Sequence, residues 1–286
     1  MKKVVISALA KVNIFLNVLA RRNDGYHDLE SIMQSISLHD TVTLTVLSFG
    51  PSVLTLTDGG DLPTDKRNLA LAAWLLFKEK FDIRENIAIH IKKRIPVSAG
   101  LAGGSSDAAA VLRGARELFG VATDADLFAL AAQLGSDVPF CLFGGTALAK
   151  GRGEKLLPMP ALPKFYFVLV NPGMALATKS VYQLFDKKSW PILSIDNIIE
   201  AMRHQDAAGI LQFAANGLEA ASLEFCPVLA EIKAELNLFG LLPLVCGSGP
   251  TVMGLTQDEG AALAAMKCLY FKWPFVELAW AKDYSD

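Results

Sequence analysis

Pro96-Val-Ser-Ala-Gly-Leu-Ala-Gly-Gly-Ser-Ser106 is the stretch on which the rest of the chain turns. It follows an alternating run, Ile87-Ala-Ile-His-Ile91, with the period of a strand. It precedes Asp107-Ala-Ala-Ala-Val-Leu-Arg-Gly-Ala-Arg-Glu-Leu118, which predicts a helix ending near Phe119 and Gly120. Strand, glycine-rich loop and helix together form a phosphate-holding arrangement. Gly100, Gly103 and Gly104 let the backbone come close to an anion and take positive φ. Ser105 and Ser106 fall where the first unpaired amides of the helix point outward, at the positive end of its dipole. Their hydroxyls suit a phosphate oxygen or magnesium. A plain loop with a serine cap would give the same local pattern. The chain has no Gly-Lys-Ser/Thr and no Gly-x-Gly-x-x-Gly, so neither the Walker loop nor the dinucleotide fingerprint applies.

Outward from this stretch, composition narrows the classes. The 286 residues suffice for one large domain or two moderate ones. Hydrophobic content of 52% against 20% charged residues supports a substantial core and argues against disorder. A net charge of −2 gives no electrostatic case for nucleic acid. Cys141, Cys226, Cys246 and Cys268 sit among apolar neighbours with no Cys-x-x-Cys pair, so they read as buried thiols in a reducing cytoplasm. The four histidines have no zinc spacing. The first ten residues are too short in their apolar part for a signal peptide and read as a strand. The charge-free run 236–257 has the length of a membrane span, but Pro243, Gly247, Gly249 and Pro250 break it into helix, turn and strand. No membrane role and no obligate protein partner is evident.

Strands are predicted over 3–8, 11–19, 41–46 and 52–57, the last two as a hairpin across Gly50-Pro51. Helical spacing covers 68–81, and Asp124 is read as the cap of a helix through Leu134. Residues 135–139 are expected as loop and 144–150 as a strand. Gly151-Arg-Gly-Glu154, then Pro158, Pro160 and Pro163, mark the domain boundary, giving 1–155 and 156–286. Beyond it, strands are expected at 165–170, 242–245, 252–255 and 275–279, with helices at 178–185, 194–204, 207–219, 228–238 and 258–269. Strands and helices mix without regular alternation, so the class is α+β.

Three further groups carry chemistry. Lys11 and Asn13 share one face of an apolar strand. A lysine snorkelling from a strand edge would look the same. Asp137 lies in a loop after a helix and is either catalytic or a turn residue. Gly247-Ser-Gly-Pro-Thr251 is a second glycine-rich loop, or an ordinary tight turn.

Pro-x-x-x-Gly-Leu-x-Gly-Gly-Ser-Ser-Asp-Ala-Ala resembles the phosphate loop of the GHMP kinases, with Ala102 where that family usually carries glycine. Ala-Lys-Val-Asn-Ile-Phe-Leu, Arg-x-Asp-Gly-Tyr-His, Leu-Gly-Ser-Asp-Val-Pro-Phe, Gly-Arg-Gly-Glu and Cys-Gly-Ser-Gly-Pro-Thr-Val also occur, in the family's order, between Lys11 and Val252. Cys246 stands for a usual serine, and Asn216-Gly-Leu218 for a frequent Asn-Asp-Leu. The resemblance implies a two-domain fold, with an N-terminal ATP-loop domain, a C-terminal ferredoxin-like domain and the active site in the cleft. It implies a cytoplasmic enzyme using ATP with Mg2+. Its small-molecule substrate would be a cytidine diphosphate-linked methylerythritol, phosphorylated on the 2-hydroxyl in non-mevalonate isoprenoid precursor biosynthesis. Lys11 and Asp137 would be catalytic. Pro96, Val97, Ser98, Ala99, Gly100, Leu101, Ala102, Gly103, Gly104, Ser105, Ser106 and Asn68 would bind ATP. Asn13, Tyr26, His27, Thr178 and Tyr182 would bind substrate, cytosine lying between Tyr26 and Tyr182 with His27 at its edge. A mevalonate, homoserine or sugar kinase, and a non-catalytic nucleotide-binding homologue, are the alternatives.

Overall fold

The computed structural model describes residues 2–188, 190–282 and 284. Two compact units divide the chain: Met1–Ala10, Leu38–Val97 and Ala102–Phe143 form one, and Lys11–Ser37, Ser98–Leu101 and Gly144–Asp286 the other. Two long strands, β1 (Lys3–Arg21) and β2 (His27–Leu47), contribute to both. β1 was expected as two shorter pieces, and only residues 41–46 of β2 were expected as a strand. Polar residues inside both strands are buried with partners. Asp40 is fully buried in β2, and its carboxylate accepts from the Lys93 ammonium and from the amides of Arg94 and Ile95.

In the first unit, β3 (Val53–Thr57) pairs in parallel with β4 (Asn86–Lys92), and β4 pairs antiparallel with β2 over Thr41–Leu47. The expected hairpin of 41–46 with 52–57 is therefore wrong: β4 lies between its two strands. Ile87, Ile89 and Ile91 of β4 are fully buried, whereas Val53 of β3 is exposed. The more apolar strand takes the centre and the less apolar one the edge. Helices α1 (Leu69–Lys80), α2 (Gly103–Phe119), α3 (Asp124–Leu134) and α4 (Val138–Phe143) complete this unit. Trp74 and Phe77 of α1 and the run Ala108–Leu112 of α2 share one apolar core with the three isoleucines of β4. Gly120 ends α2 at φ 68°, donating to the Arg116 carbonyl. The cap of α3 is Thr123, not Asp124; its hydroxyl and the Asp126 carboxylate close a reciprocal capping box. α4 begins inside the stretch expected as loop.

In the second unit, β5 (Thr146–Gly151) pairs antiparallel with β2 over Leu29–Gln34, and β6 (Lys155–Pro158) pairs with β5. A separate four-stranded antiparallel sheet runs in the order β11 (Phe275–Trp280), β7 (Tyr166–Asn171), β10 (Val252–Thr256), β9 (Leu242–Val245). With α9 (Val228–Leu238) after β7 and α10 (Glu259–Leu269) before β11, this is a ferredoxin-like unit. Between β7 and α9 come α5 (Thr178–Phe185), α6 (Asp196–Arg203), α7 (Ala207–Phe213), the short strand β8 (Ala215–Asn216) and α8 (Glu219–Phe225). The single helix expected over 207–219 is broken, because β8 pairs with β1 at Phe15 and Leu16 and the Gly217 amide donates to the Leu16 carbonyl. Cys268 is exposed, against the expectation of a buried thiol; the other three are buried. Among the described residues, no helix is long and apolar enough to cross a membrane.

Candidate active site

The loop after β4 takes positive φ at Ser98 (53°), Gly100 (77°) and Ala102 (59°), not at Gly103 or Gly104. Gly103 and Gly104 are instead the first two residues of α2, which starts four residues earlier than expected. Only Gly100 has the conformation that motivated its reading. A Cβ built there would overlap the carbonyl oxygen of Cys246, so glycine permits the two glycine-rich loops to touch. Ala102 holds the cap position in left-handed geometry, and no side chain caps the helix. The first amides of α2 thus meet no side-chain acceptor, as an anion site at a helix start requires. A Cβ on Gly104 would meet only Leu69 at 3.9 Å, so this exposed residue leaves open space for an approaching group.

Ser106 differs from its sequence reading. It is fully buried, its hydroxyl donates to the Leu9 carbonyl at 2.6 Å, and its amide donates to the Ala102 carbonyl at 2.9 Å. It anchors the start of α2. Within the loop, Ala99 and Leu101 are buried and Val97 is half-exposed. Beneath lies a buried cluster of charge. The Lys93 ammonium donates to Asp40 and, at 2.7 Å, to Asp107 Oδ2, while Asp107 Oδ1 is buried with no hydrogen-bond partner. Burial first, and then the second carboxylate, push Asp107 up to about 7 against the pull of Lys93. Asn68 is the N-cap of α1: its Oδ1 accepts from Ala70 N at 3.0 Å and its Nδ2 donates to the Pro63 carbonyl at 2.9 Å. Both ends of that amide hold local structure.

In the second unit, β1 and the two loops converge. The Lys11 ammonium, 5% exposed, donates to Asn13 Oδ1 at 2.9 Å; Asn13 Nδ2 donates to Ser31 Oγ, and that hydroxyl donates to the Phe15 carbonyl, both at 2.7 Å. This chain fixes the orientation of the Asn13 amide and the position of the ammonium. A Cβ on Gly247 would stand 3.9 Å from Lys11 Nζ and 3.7 Å from Asn13 Oδ1, so the second glycine loop lies directly against the pair. Asn216 holds that loop, donating to the Val245 and Gly247 carbonyls at 2.7 Å each. In the sequence Asn216 stands out only as part of a loose match. Thr178 Oγ1 and Ser248 Oγ are 2.9 Å apart. Cys246 is sealed beneath, and burial pushes its thiol up to about 12.

Tyr26 is 54% exposed, and the Arg152 guanidinium lies 5.2 Å over its ring. His27 is buried, its ring centroid 4.9 Å from that of Tyr182. Asp137 belongs to the first unit, directly before α4, where its carbonyl accepts from Cys141 N at 3.0 Å. Among the described residues its carboxylate enters no hydrogen bond or ion pair. Also among the described residues, no group of three or more His, Cys, Asp or Glu is placed to hold a metal ion.

Known proteins match this chain throughout. The model of the GHMP kinases N-terminal domain matches residues 68–145 and that of the GHMP kinases C-terminal domain residues 195–274. A 4-diphosphocytidyl-2-C-methyl-D-erythritol kinase of Geobacillus sp. (strain WCH70) is 42% identical over 259 residues, covering 90% of this chain and 89% of that one. The chain belongs to the GHMP kinases. As a GHMP kinase it is also similar to a crystal structure of 4-(cytidine 5'-diphospho)-2C-methyl-D-erythritol kinase, with a TM-score of 0.81 and 34% identity over 98% of this chain and 100% of that one. A homoserine kinase from Cytophaga hutchinsonii shares the fold at a TM-score of 0.78 and 19% identity, over 99% of this chain and 96% of that one.

Proposed function

We propose that this GHMP kinase transfers the γ-phosphoryl group of ATP to the 2-hydroxyl of 4-(cytidine 5'-diphospho)-2-C-methyl-D-erythritol. The observation that carries the choice of substrate is the 42% identity over 90% of the chain to a relative of that name; the homoserine kinase likeness, at 19%, carries fold alone. In this reading residues 1–155 are the N-terminal GHMP kinase domain, with the phosphate loop and the catalytic pair, and 156–286 the C-terminal GHMP kinase domain.

The uncapped start of α2 and the open space at Gly104 fit a polyphosphate, and residues 96–106 would carry the ATP phosphates with Asn68 nearby. Mg2+ would be held chiefly by the phosphates, needing few protein ligands, and would supply neutralisation of the charge on the transferred group. Lys11 is held in line by Asn13, and its ammonium would orient the accepting hydroxyl and steady the charge that builds there. Asp137, unpaired among the described residues, is the candidate acceptor of the hydroxyl proton. Tyr26 has one face covered by Arg152 and would offer the other to cytosine, opposite Tyr182.

A coupled ADP-release assay with the cytidylyl substrate, mevalonate, homoserine and galactose tests the proposal. Turnover restricted to the cytidylyl substrate is the expected result. Preferred turnover of any other alcohol, or none at all, would overturn it.

A further inference from the structure

α5 ends on an acidic residue, which is the wrong charge for that place. Asp186 is the C-cap of α5, its amide donating to the Tyr182 carbonyl at 2.9 Å, so its carboxylate sits at the negative end of the helix. A carboxylate there needs a partner to offset it. Arg21 Nη1 is 3.6 Å from Oδ2, but that side chain is 65% exposed, and such a pair contributes little. The close partner is His27: its Nε2 is 2.7 Å from Asp186 Oδ1, and its side chain is only 7% exposed.

The same helix grips the imidazole with three groups. Tyr182 lies 4.9 Å from it at a tilt of 31°, Phe185 meets it edge-on at 6.3 Å, and Asp186 takes Nε2. A neutral imidazole has one N–H, and a carboxylate at this distance can only be an acceptor. In the neutral ring the proton is therefore on Nε2, and Nδ1 carries the lone pair. Among the described residues Nδ1 has no hydrogen-bond partner and is not fully sealed.

We propose that Asp186 is a positioning residue for base recognition: it fixes His27 with Nδ1 as an acceptor, the polarity that pairs with the exocyclic amine of cytosine and opposes the ring carbonyl at the same place in uracil. This rests on the cytidylyl reading above. Asp186 does not touch substrate; it acts through the tautomer of His27. A doubly protonated ring would donate from Nδ1 and reverse the preference.

The test uses the full chain with Asp186→Ala and Asp186→Asn, read three ways. Long-range proton–nitrogen spectra, with His27 assigned by His27→Gln, report the tautomer without any ligand. Binding of CMP against UMP, and KM for the cytidine and uridine forms of the diphosphate-linked alcohol, report selectivity. The wild type is expected to show His27 protonated on Nε2 and to prefer the cytidine ligands by about tenfold or more, the size of one hydrogen bond against one opposed pair. Asp186→Ala should mix the tautomers, raise KM for the cytidylyl substrate and bring the cytosine-to-uracil ratio towards one, leaving KM for ATP in place. Asp186→Asn, whose Oδ1 accepts the same proton, should restore most of the ratio. A His27 protonated on Nδ1 in the wild type would overturn the proposal, as would an undiminished cytosine preference in Asp186→Ala. If the alanine variant fails to fold, the wild-type tautomer decides. A wild type inert towards the cytidylyl substrate sinks the substrate reading as well, whereas normal wild-type turnover with unaltered selectivity in the variant sinks only the role of Asp186.

Discussion

Replacing Asp107 by asparagine should stabilise the protein at alkaline pH more than at acid pH. Asp107 and Asp40 share one ammonium, that of Lys93, and all three are buried. Asp107 Oδ1 has no hydrogen-bond partner, so the ionised form is poorly solvated. Its carboxyl is pushed from 3.8 up to about 7, burial being the largest cause. Because the folded value lies above the unfolded one, the stability from this proton is complete below pH 3.8 and is lost as pH rises to about 7. Each pH step of one within that window removes about 1.4 kcal/mol, so between pH 5 and pH 8 the wild type should lose roughly 2–3 kcal/mol through this group alone. Asparagine has the same shape and no such titration. The stability of Asp107→Asn relative to wild type should therefore improve by roughly 2–3 kcal/mol from pH 5 to pH 8. Urea unfolding at both pH values, with matched ionic strength, measures it. A difference between variant and wild type that does not change with pH, or that shrinks towards pH 8, would refute the reasoning.

Other substitutions probe the site. Gly100→Ala puts a methyl into the Cys246 carbonyl at a φ of 77°, and should raise KM for ATP and lower thermal stability by about 2 kcal/mol or more; a variant indistinguishable from wild type would mean the two loops do not meet. Gly104→Val tests phosphate approach more cleanly than Gly103→Val, because a Cβ on Gly103 would press on Ile95 at 3.0 Å whereas Gly104 faces open space; nucleotide affinity measured by calorimetry should fall sharply while the melting temperature changes little. Lys11→Met and Asp137→Asn should each lower kcat by at least ~10²-fold with substrate KM largely kept, and steady-state kinetics near wild type for either would move the chemistry elsewhere. Tyr182→Ala should raise KM for the cytidylyl substrate and not for ATP, the loss of one stacked ring being worth ~1–3 kcal/mol; equal changes in both constants would make it a packing residue.

The parts of the fold that were legible had periodic, uncompensated patterns. Helices α5 and α9 and strand β9 have the bounds predicted for them, and each of the two helices buries one face. The errors arose where a distant partner changes what a residue costs. Asp40 falls outside the strand predicted over 41–46, yet Lys93 and two amides from beyond β4 satisfy it inside β2. The turn at Gly50-Pro51 reads as a hairpin until β4, about thirty residues later in the chain and wholly apolar on one face, takes the central place. The 207–219 stretch has helical composition throughout, and only the pairing of β8 with β1 stops it. Local propensity is weak against such long-range pairing.

The site shows the same division more sharply. Which residues carry charge or hydroxyl was readable, and the order of motifs grouped them as candidates for one chemistry. Their tasks depend on second partners that no spacing reveals. Ser106 looked equivalent to Ser105, yet the Leu9 carbonyl, ninety-seven positions away, claims its hydroxyl and buries it. Asn68 was expected near the adenine or ribose, and its amide is engaged at both ends by α1 and Pro63. Conversely Asn216, Ser31 and Asp186 carried no signal strong enough to single them out, though they hold the second glycine loop, the Lys11–Asn13 pair and the His27 ring. Each of these three acts by fixing another polar group, and a hydrogen bond's partner is a property of the fold, not of the neighbouring sequence. A single chain therefore offers candidate reacting groups before it offers the groups that would aim them. Aim decides rate in phosphoryl transfer, where little covalent chemistry falls to the protein. So substitutions at Ser31 and Asn216, silent in any reading of the motifs, should bear on turnover through Lys11 and Gly247 rather than through stability alone.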